Sequence, residues 1–229
     1  MAIKVCNGIF YQDFIAEICR QRSASTYLEI GVQSGINLSK IVVDRAIGID
    51  PAFSLSVDPT QGKSSLELYR MSSDEFFKKH EISSIDVAFL DGMHLFEYLL
   101  RDIYNVEARS KRSGLIMLHD CLPFDGNMIA RQDTGGAWTG DVWKIIPILK
   151  KYRPDMRVLL VDCMPTGVVC LTNLDPSSSV LEEKYLDIVN EFSEEANDTA
   201  SLERLYDSYS ILSAGLILSD FNQSRYLRV

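Results

Sequence analysis

Two short clusters in this 229-residue chain put acids beside imidazoles: Asp91-Gly92-Met93-His94 and His119-Asp120. The chain has three histidines, so two of them fall in these clusters. Such side chains can move protons or hold a divalent cation. An imidazole with an ordinary pKa of about 6.5 takes a proton at neutral pH. A bound cation lowers the pKa of a hydroxyl, and a nearby base then removes its proton. The alternative is a hydrogen-bonded Asp–His pair with no metal. The third histidine, His80, ends a polar helical stretch and reads as solvated.

The elements that carry these clusters follow from apolar patterning. Short strand-like runs are predicted at Tyr27–Ile30, Ala46–Ile49, Leu66–Tyr69, Ile85–Leu90, Leu115–Leu118, Met156–Val161 and Gly167–Leu171. Phe10, Phe14 and Ile18 recur every four residues and predict an opening helix. Helical spacing also covers Ile36–Val43, Asp74–Lys79 and Leu95–Ala108, the last with a stripe of Leu95, Leu99, Ile103 and Val106. Strands alternating with helices imply a doubly wound α/β fold around a mostly parallel, seven-stranded sheet. The last two strands have only 162–166 between them, too little for a crossover helix, so they should pair antiparallel. Ligands of open α/β sheets sit beyond the carboxyl ends of the strands. Asp91, His94, His119 and Asp120 all follow such ends and should meet on one edge.

A second motif marks the same edge. Tyr27-Leu28-Glu29-Ile30-Gly31-Val32-Gln33-Ser34-Gly35 runs from a strand into a helix, and Gly31 and Gly35 allow a tight turn and a close ligand. The next strand ends in Gly48-Ile49-Asp50-Pro51, where Asp50 can accept hydrogen bonds from two ribose hydroxyls. A dinucleotide turn needs a central glycine where this chain has Gln33. Glu29 repels a pyrophosphate but suits the cationic methionine end of S-adenosylmethionine. The methyl donor is therefore expected, with NAD and a turn that binds nothing as the alternatives.

The bulk numbers narrow the setting. A net charge of −9 disfavours nucleic acid and anionic membrane as partners. Cys6, Cys19, Cys121, Cys163 and Cys170 show no paired or zinc-type spacing, which suits free thiols in a reducing compartment. With no leader and no membrane-length apolar run, a cytoplasmic protein is expected. Character changes near Pro176, giving a main domain at 1–176 and a helical extension of the same domain at 177–229. In the extension, Leu181, Tyr185, Ile188 and Phe192, then Leu202, Leu205, Tyr209 and Leu212, predict two helices. Leu212, Leu216, Ile217 and Leu218 are expected to be buried against the sheet or in a homodimer interface. Residues 123–140 form one long irregular connection, a candidate lid. Trp138 there suits stacking on a ring substrate, whereas Trp143 reads as core, with Asp141 as a helix cap.

Residues 26–51 resemble motifs I and II of class I S-adenosylmethionine-dependent methyltransferases. Residues 85–125 resemble a subfamily with Asp-Gly-x-His and His-Asp motifs, near the catechol and macrolide-sugar O-methyltransferases. The likeness spans about residues 25–172. It implies that Glu29 and Gly31 face the methionine part and Asp50 the ribose. Ser72 and Ser73 would lie beside the adenine, although Ser followed by acids also describes a helix cap. It further implies that Asp91, beside the donor, is a metal ligand and His94 the general base, with His119 and Asp120 as the second ligand pair. The His-Asp pair departs from the all-oxygen or amide pairs of the metal enzymes. Mg2+ prefers oxygen, so His119 points to a softer divalent cation or to no ligation. The implied reaction is O-methylation of a small hydroxylated acceptor, a sugar or glycosylated metabolite. A metal-independent N-methyltransferase and a non-catalytic nucleotide-binding protein on the same fold are the alternatives.

Overall fold

The computed structural model describes residues 3–133, 135–219 and 227. Helix α1 (Tyr11–Gln21) precedes β1 (Thr26–Ile30), α2 (Ile36–Lys40), β2 (Val43–Ile49) and β3 (Lys63–Tyr69). Then come α3 (Ser73–Lys79), β4 (Ile85–Leu90), α4 (Phe96–Glu107), β5 (Ser110–His119) and α5 (Ile145–Tyr152). The hairpin β6 (Arg157–Asp162) and β7 (Val168–Thr172) leads to α6 (Val180–Glu183), α7 (Tyr185–Ser193), α8 (Thr199–Ser208), β8 (Ile211–Ser213) and α9 (Ala214–Ser219). The sheet order is β3-β2-β1-β4-β5-β7-β6-β8. Among the described strands only β7 runs against its neighbours, pairing antiparallel with both β5 and β6. The expected doubly wound sheet is therefore present, with one more strand than the apolar runs indicate.

That extra strand corrects the helical reading of the C-terminal segment. Leu212 lies in β8, where it pairs with Val161 of β6, and the helix ends before it. Near the other end, α2 stops at Lys40 and Val43 opens β2. The β-branched run Ile41-Val42-Val43 favours the pleated surface over another helical turn. Phe10 stands just outside α1 and is exposed, so the buried face of that helix begins at Phe14.

Helices cover both faces of the sheet. On one, Phe76 of α3, Leu100 and Ile103 of α4 and Ile146 of α5 pack on Leu28, Ala88 and Ile116. On the other, Phe14 and Ile18 of α1 and Ile217 of α9 share a core with Tyr27, Phe89 and Met117. Central strands β1, β4 and β5 are buried on both sides, which explains their near-continuous apolar runs. The chain winds one way from β1 to β3 and the other way from β4 to β5. The exits of β1 and β4 therefore lie side by side and open a crevice. No helix among the described residues is long and apolar enough to cross a membrane. All five cysteines are buried and unpaired.

Candidate active site

The crevice is a cavity of about 650 Å³ at the carboxyl edge of the sheet. Its floor is the glycine turn. Gly31 has φ +88°, and a Cβ there would come within 1.9 Å of the Asp91 carbonyl oxygen. Only glycine lets the two strand exits approach so closely. Asp50 braces the turn: one carboxylate oxygen accepts from the Gln33 amide at 2.7 Å, the other from the Ala52 amide at 2.6 Å. Asp50 and Gly31 line the cavity, as do Ser72 and Ser73. The Ser72 hydroxyl also caps α3 by accepting from the Glu75 amide, so the cap and the cavity wall coincide.

Two residues of the glycine motif stand back from the cavity. Gly35 begins α2 in a left-handed conformation and packs under Leu55. Glu29 is buried below the turn, accepting from the Tyr27 hydroxyl at 2.7 Å and the Asn37 amide at 2.6 Å. Burial pushes its carboxyl up to about 8, against the pull of those two hydrogen bonds. Glu29 therefore fastens α2 to β1.

The acids and imidazoles meet at one wall. Asp91 follows β4, its amide donating to the Ile30 carbonyl at 2.9 Å. Asp120 follows β5 with φ +58°, a strained setting for a non-glycine residue that costs on the order of 1–3 kcal/mol. Its carboxylate accepts from the Thr166 hydroxyl at 2.5 Å. His94 Nε2 lies 3.4 Å from Asp91 and 3.3 Å from Asp120. His94 Nδ1 is 3.0 Å from the Trp138 carbonyl, which can only accept, so that nitrogen carries a proton. The second nitrogen faces the acids and is the one that gains or loses a proton. Burial lowers the His94 pKa, but Asp91 and Asp120 outweigh it and the net shift is upward.

One ligand atom from each of Asp91, His94 and Asp120 lies within 4.8 Å of the others. Two carboxylates and one imidazole suit a divalent cation of borderline hardness better than Mg2+. His119 stands beside this trio. Its Nδ1 is 3.3 Å from Asp91 and 3.4 Å from Asp120, and its ring packs at a tilt of 39° against Tyr11, with ring centres 4.0 Å apart. Burial opposes charge there, yet the two carboxylates hold the imidazole up at about 10. His119 thus braces both acids as a cation, and both histidines in turn hold Asp91 well below the usual carboxylate range despite its burial.

The loop after Asp120 closes one side. Trp138 lines the cavity, packs 5.0 Å from the His94 ring and donates its indole N–H to the Ala130 carbonyl. Trp143 is core, as expected. Asp141 caps a helix other than the one it precedes in sequence: it accepts from the Phe96 amide at the start of α4. His80 is half-buried against Tyr69 and Phe76, and so is not simply solvated. Tyr11, Asp102 and Thr166 escape the motif reading. Tyr11 and Asp102 sit within amphipathic helices and Thr166 in a hairpin turn, where only the fold reveals what they touch.

Residues 28–121 match the family model described as a methyltransferase domain. That stretch, from β1 to the end of β5, is similar to a methyltransferase domain. The chain resembles the O-methyltransferase of Bacillus cereus solved in complex with S-adenosylhomocysteine, with TM-score 0.53 and 10% identity over 74% of this chain and 84% of that one. It also resembles an S-adenosylhomocysteine-bound methyltransferase of Podospora anserina, with TM-score 0.53 and 16% identity over 72% and 78%. A third is an O-methyltransferase of Streptomyces achromogenes involved in tomaymycin synthesis and solved with S-adenosylmethionine, with TM-score 0.50 and 14% identity over 70% and 78%. At such identities the likeness is one of fold. No sequence relative was found among curated proteins.

Proposed function

We propose that the chain is an S-adenosylmethionine-dependent methyltransferase that transfers a methyl group to the hydroxyl of a small acceptor, a sugar or glycosylated metabolite, with His94 as the general base. The observation that carries this reading is the Nε2 nitrogen of His94, which faces Asp91 and Asp120 in the cavity that also holds Gly31, Asp50, Ser72 and Ser73. An alcohol is a poor nucleophile until its proton leaves. His94, oriented by the Trp138 carbonyl, takes that proton. Asp91 and Asp120 stabilise the imidazolium that forms. In this reading the ribose lies at Asp50, the adenine at Ser72 and Ser73, and the methionine end over Gly31 and Asp91. Glu29 acts on the methionine end only through the turn it supports.

A second reading rests on the same trio. Asp91, His94 and Asp120 would hold a divalent cation, with His119 steadying both carboxylates. Such an ion would supply a lowered pKa for the acceptor hydroxyl. Activity of the full chain against hydroxylated acceptors, with and without chelator, separates the two. His94→Ala should lower turnover roughly 10²–10⁴-fold while donor affinity stays intact. Full activity in that variant overturns the base. Loss of activity in chelator, restored by Mn2+ or Zn2+, favours the cation. The cytoplasmic setting and a homodimer belong to the same proposal.

A further inference from the structure

Asp102 is a buried cavity acid that the proposed chemistry leaves unused. It lies on the buried face of α4, 4% exposed, yet it lines the cavity. A carboxyl among apolar side chains is costly unless its hydrogen bonds are taken. Ser73, at the start of α3, takes one. Arg101, its neighbour in sequence, turns to Asp74 at 2.7 Å. The wall in front of Asp102 is missing at Gly92. A Cβ there would lie 3.7 Å from Asp102 Oδ2 and 3.1 Å from Ile30 Cγ2. The backbone of Gly92 does not need glycine, since its φ is outside the left-handed region. What the glycine leaves open is the approach to that carboxyl oxygen.

We propose that Asp102 accepts a hydrogen bond from the exocyclic amine of the donor's adenine and makes the site selective for a 6-aminopurine. This rests on the donor assignment above. The serines at this end of the cavity cannot choose a base by themselves, because a hydroxyl donates or accepts with equal ease. A carboxyl oxygen fixed by Ser73 accepts. Burial pushes the Asp102 carboxyl up to about 7, with Asp74 raising it further and Arg101 opposing. Its acid form therefore adds an O–H for the adjacent ring nitrogen, and the pair matches the adenine edge. A base without the amine leaves a buried acceptor unpaired, which is how a desolvated site gains selectivity.

Calorimetry of the full chain with S-adenosylhomocysteine, and with the analogue whose base is unsubstituted purine, tests this. The parent should prefer the adenine ligand by about tenfold or more, the fold-change that accompanies a buried hydrogen bond. Asp102→Ala should bind both ligands alike. Asp102→Asn, whose amide keeps an acceptor and a donor, should retain most of the preference. A merely structural role would weaken both ligands equally and leave the ratio unmoved. Equal binding of the two ligands by the parent overturns the proposal even if the alanine variant fails to fold. So does an unchanged ratio in Asp102→Ala. Failure of the parent to bind S-adenosylhomocysteine at all overturns the donor assignment itself, a separate result.

Discussion

At the scale of single residues, the cavity sets carboxyls of different character side by side. Asp91 is held ionised by two imidazoles, whereas Asp102, buried against α3, is pushed up to about 7. The difference has a consequence for stability. An acid whose pKa rises on folding binds its proton more tightly in the native state, so its contribution is complete at low pH and is lost as pH rises. For Asp102 the loss runs between the ordinary 3.8 and about 7. At 1.36 kcal/mol per pH unit this bounds the effect at roughly 4 kcal/mol. Asp102→Asn, which mimics the neutral acid, should match the parent in urea melts near pH 4 and exceed it at pH 8. Parallel stability curves for the two proteins would show that the carboxyl is not protonated by the fold. Asp50 makes a different prediction, because the proposed reading puts the donor's ribose against it. Asp50→Ala should weaken S-adenosylhomocysteine binding by about 1.5–3 kcal/mol, the magnitude for hydrogen bonds to a charged group, and calorimetry reads this directly.

At the scale of elements, the site was legible where sequence order and strand ends coincide. Asp91 and His94 follow β4 at once, and His119 and Asp120 end β5, so an alternating pattern was enough to bring them to one edge. Two kinds of residue were hidden. Tyr11 and Asp102 lie in amphipathic helices, where a polar residue near the apolar stripe carries no signal until the facing strands are known. The strand β8 has three residues, and Leu212 continues the spacing of α8, so the helical period absorbed it. Asp141 shows the same limit from the other side: its position suggested a local cap, while its carboxylate serves α4, forty-five residues earlier. Asp141 also pairs with Arg131 at 2.5 Å and lies 3.5 Å from the buried Lys144. The loop of 123–140, α4 and α5 are thus tied through one fully buried carboxylate. Asp141→Ala should destabilise the protein by about 3–5 kcal/mol, the cost of leaving a buried ion unpaired. Denaturant unfolding checks it, and a loss below about 1 kcal/mol would mean that the carbonyls of Phe192 and Glu195 hold Lys144 unaided.

At the scale of the whole molecule, the question is whether the residues after Pro176 are an appendage or part of the fold. The helices α6 to α8 bury Leu181, Ile188, Phe192, Leu202, Leu205 and Tyr206 against the same face as α4 and α5. Tyr206 donates its hydroxyl to the Pro123 carbonyl, at the root of the loop that closes the cavity. The segment then crosses to the other face, where Ala214 and Ile217 join the core that includes Phe14 and Ile18 of α1. Its expected apolar face is therefore covered within the chain, although Leu216 stays exposed. At about 1.5–3 kcal/mol per buried large side chain, six such residues outweigh much of the 5–15 kcal/mol that a typical domain has in total. Removal would also bare the edge of β6, which β8 covers through pairs from Leu160–Ile211 to Asp162–Ser213, and an open strand edge promotes aggregation. A chain ending at Pro176 should accordingly fail to give a soluble folded monomer, whereas the full chain should melt cooperatively. Light scattering and far-ultraviolet circular dichroism on both chains decide the matter. A soluble truncated monomer with an unchanged melting temperature would make the segment dispensable. Scattering from the full chain alone separately reads whether it pairs with a second copy.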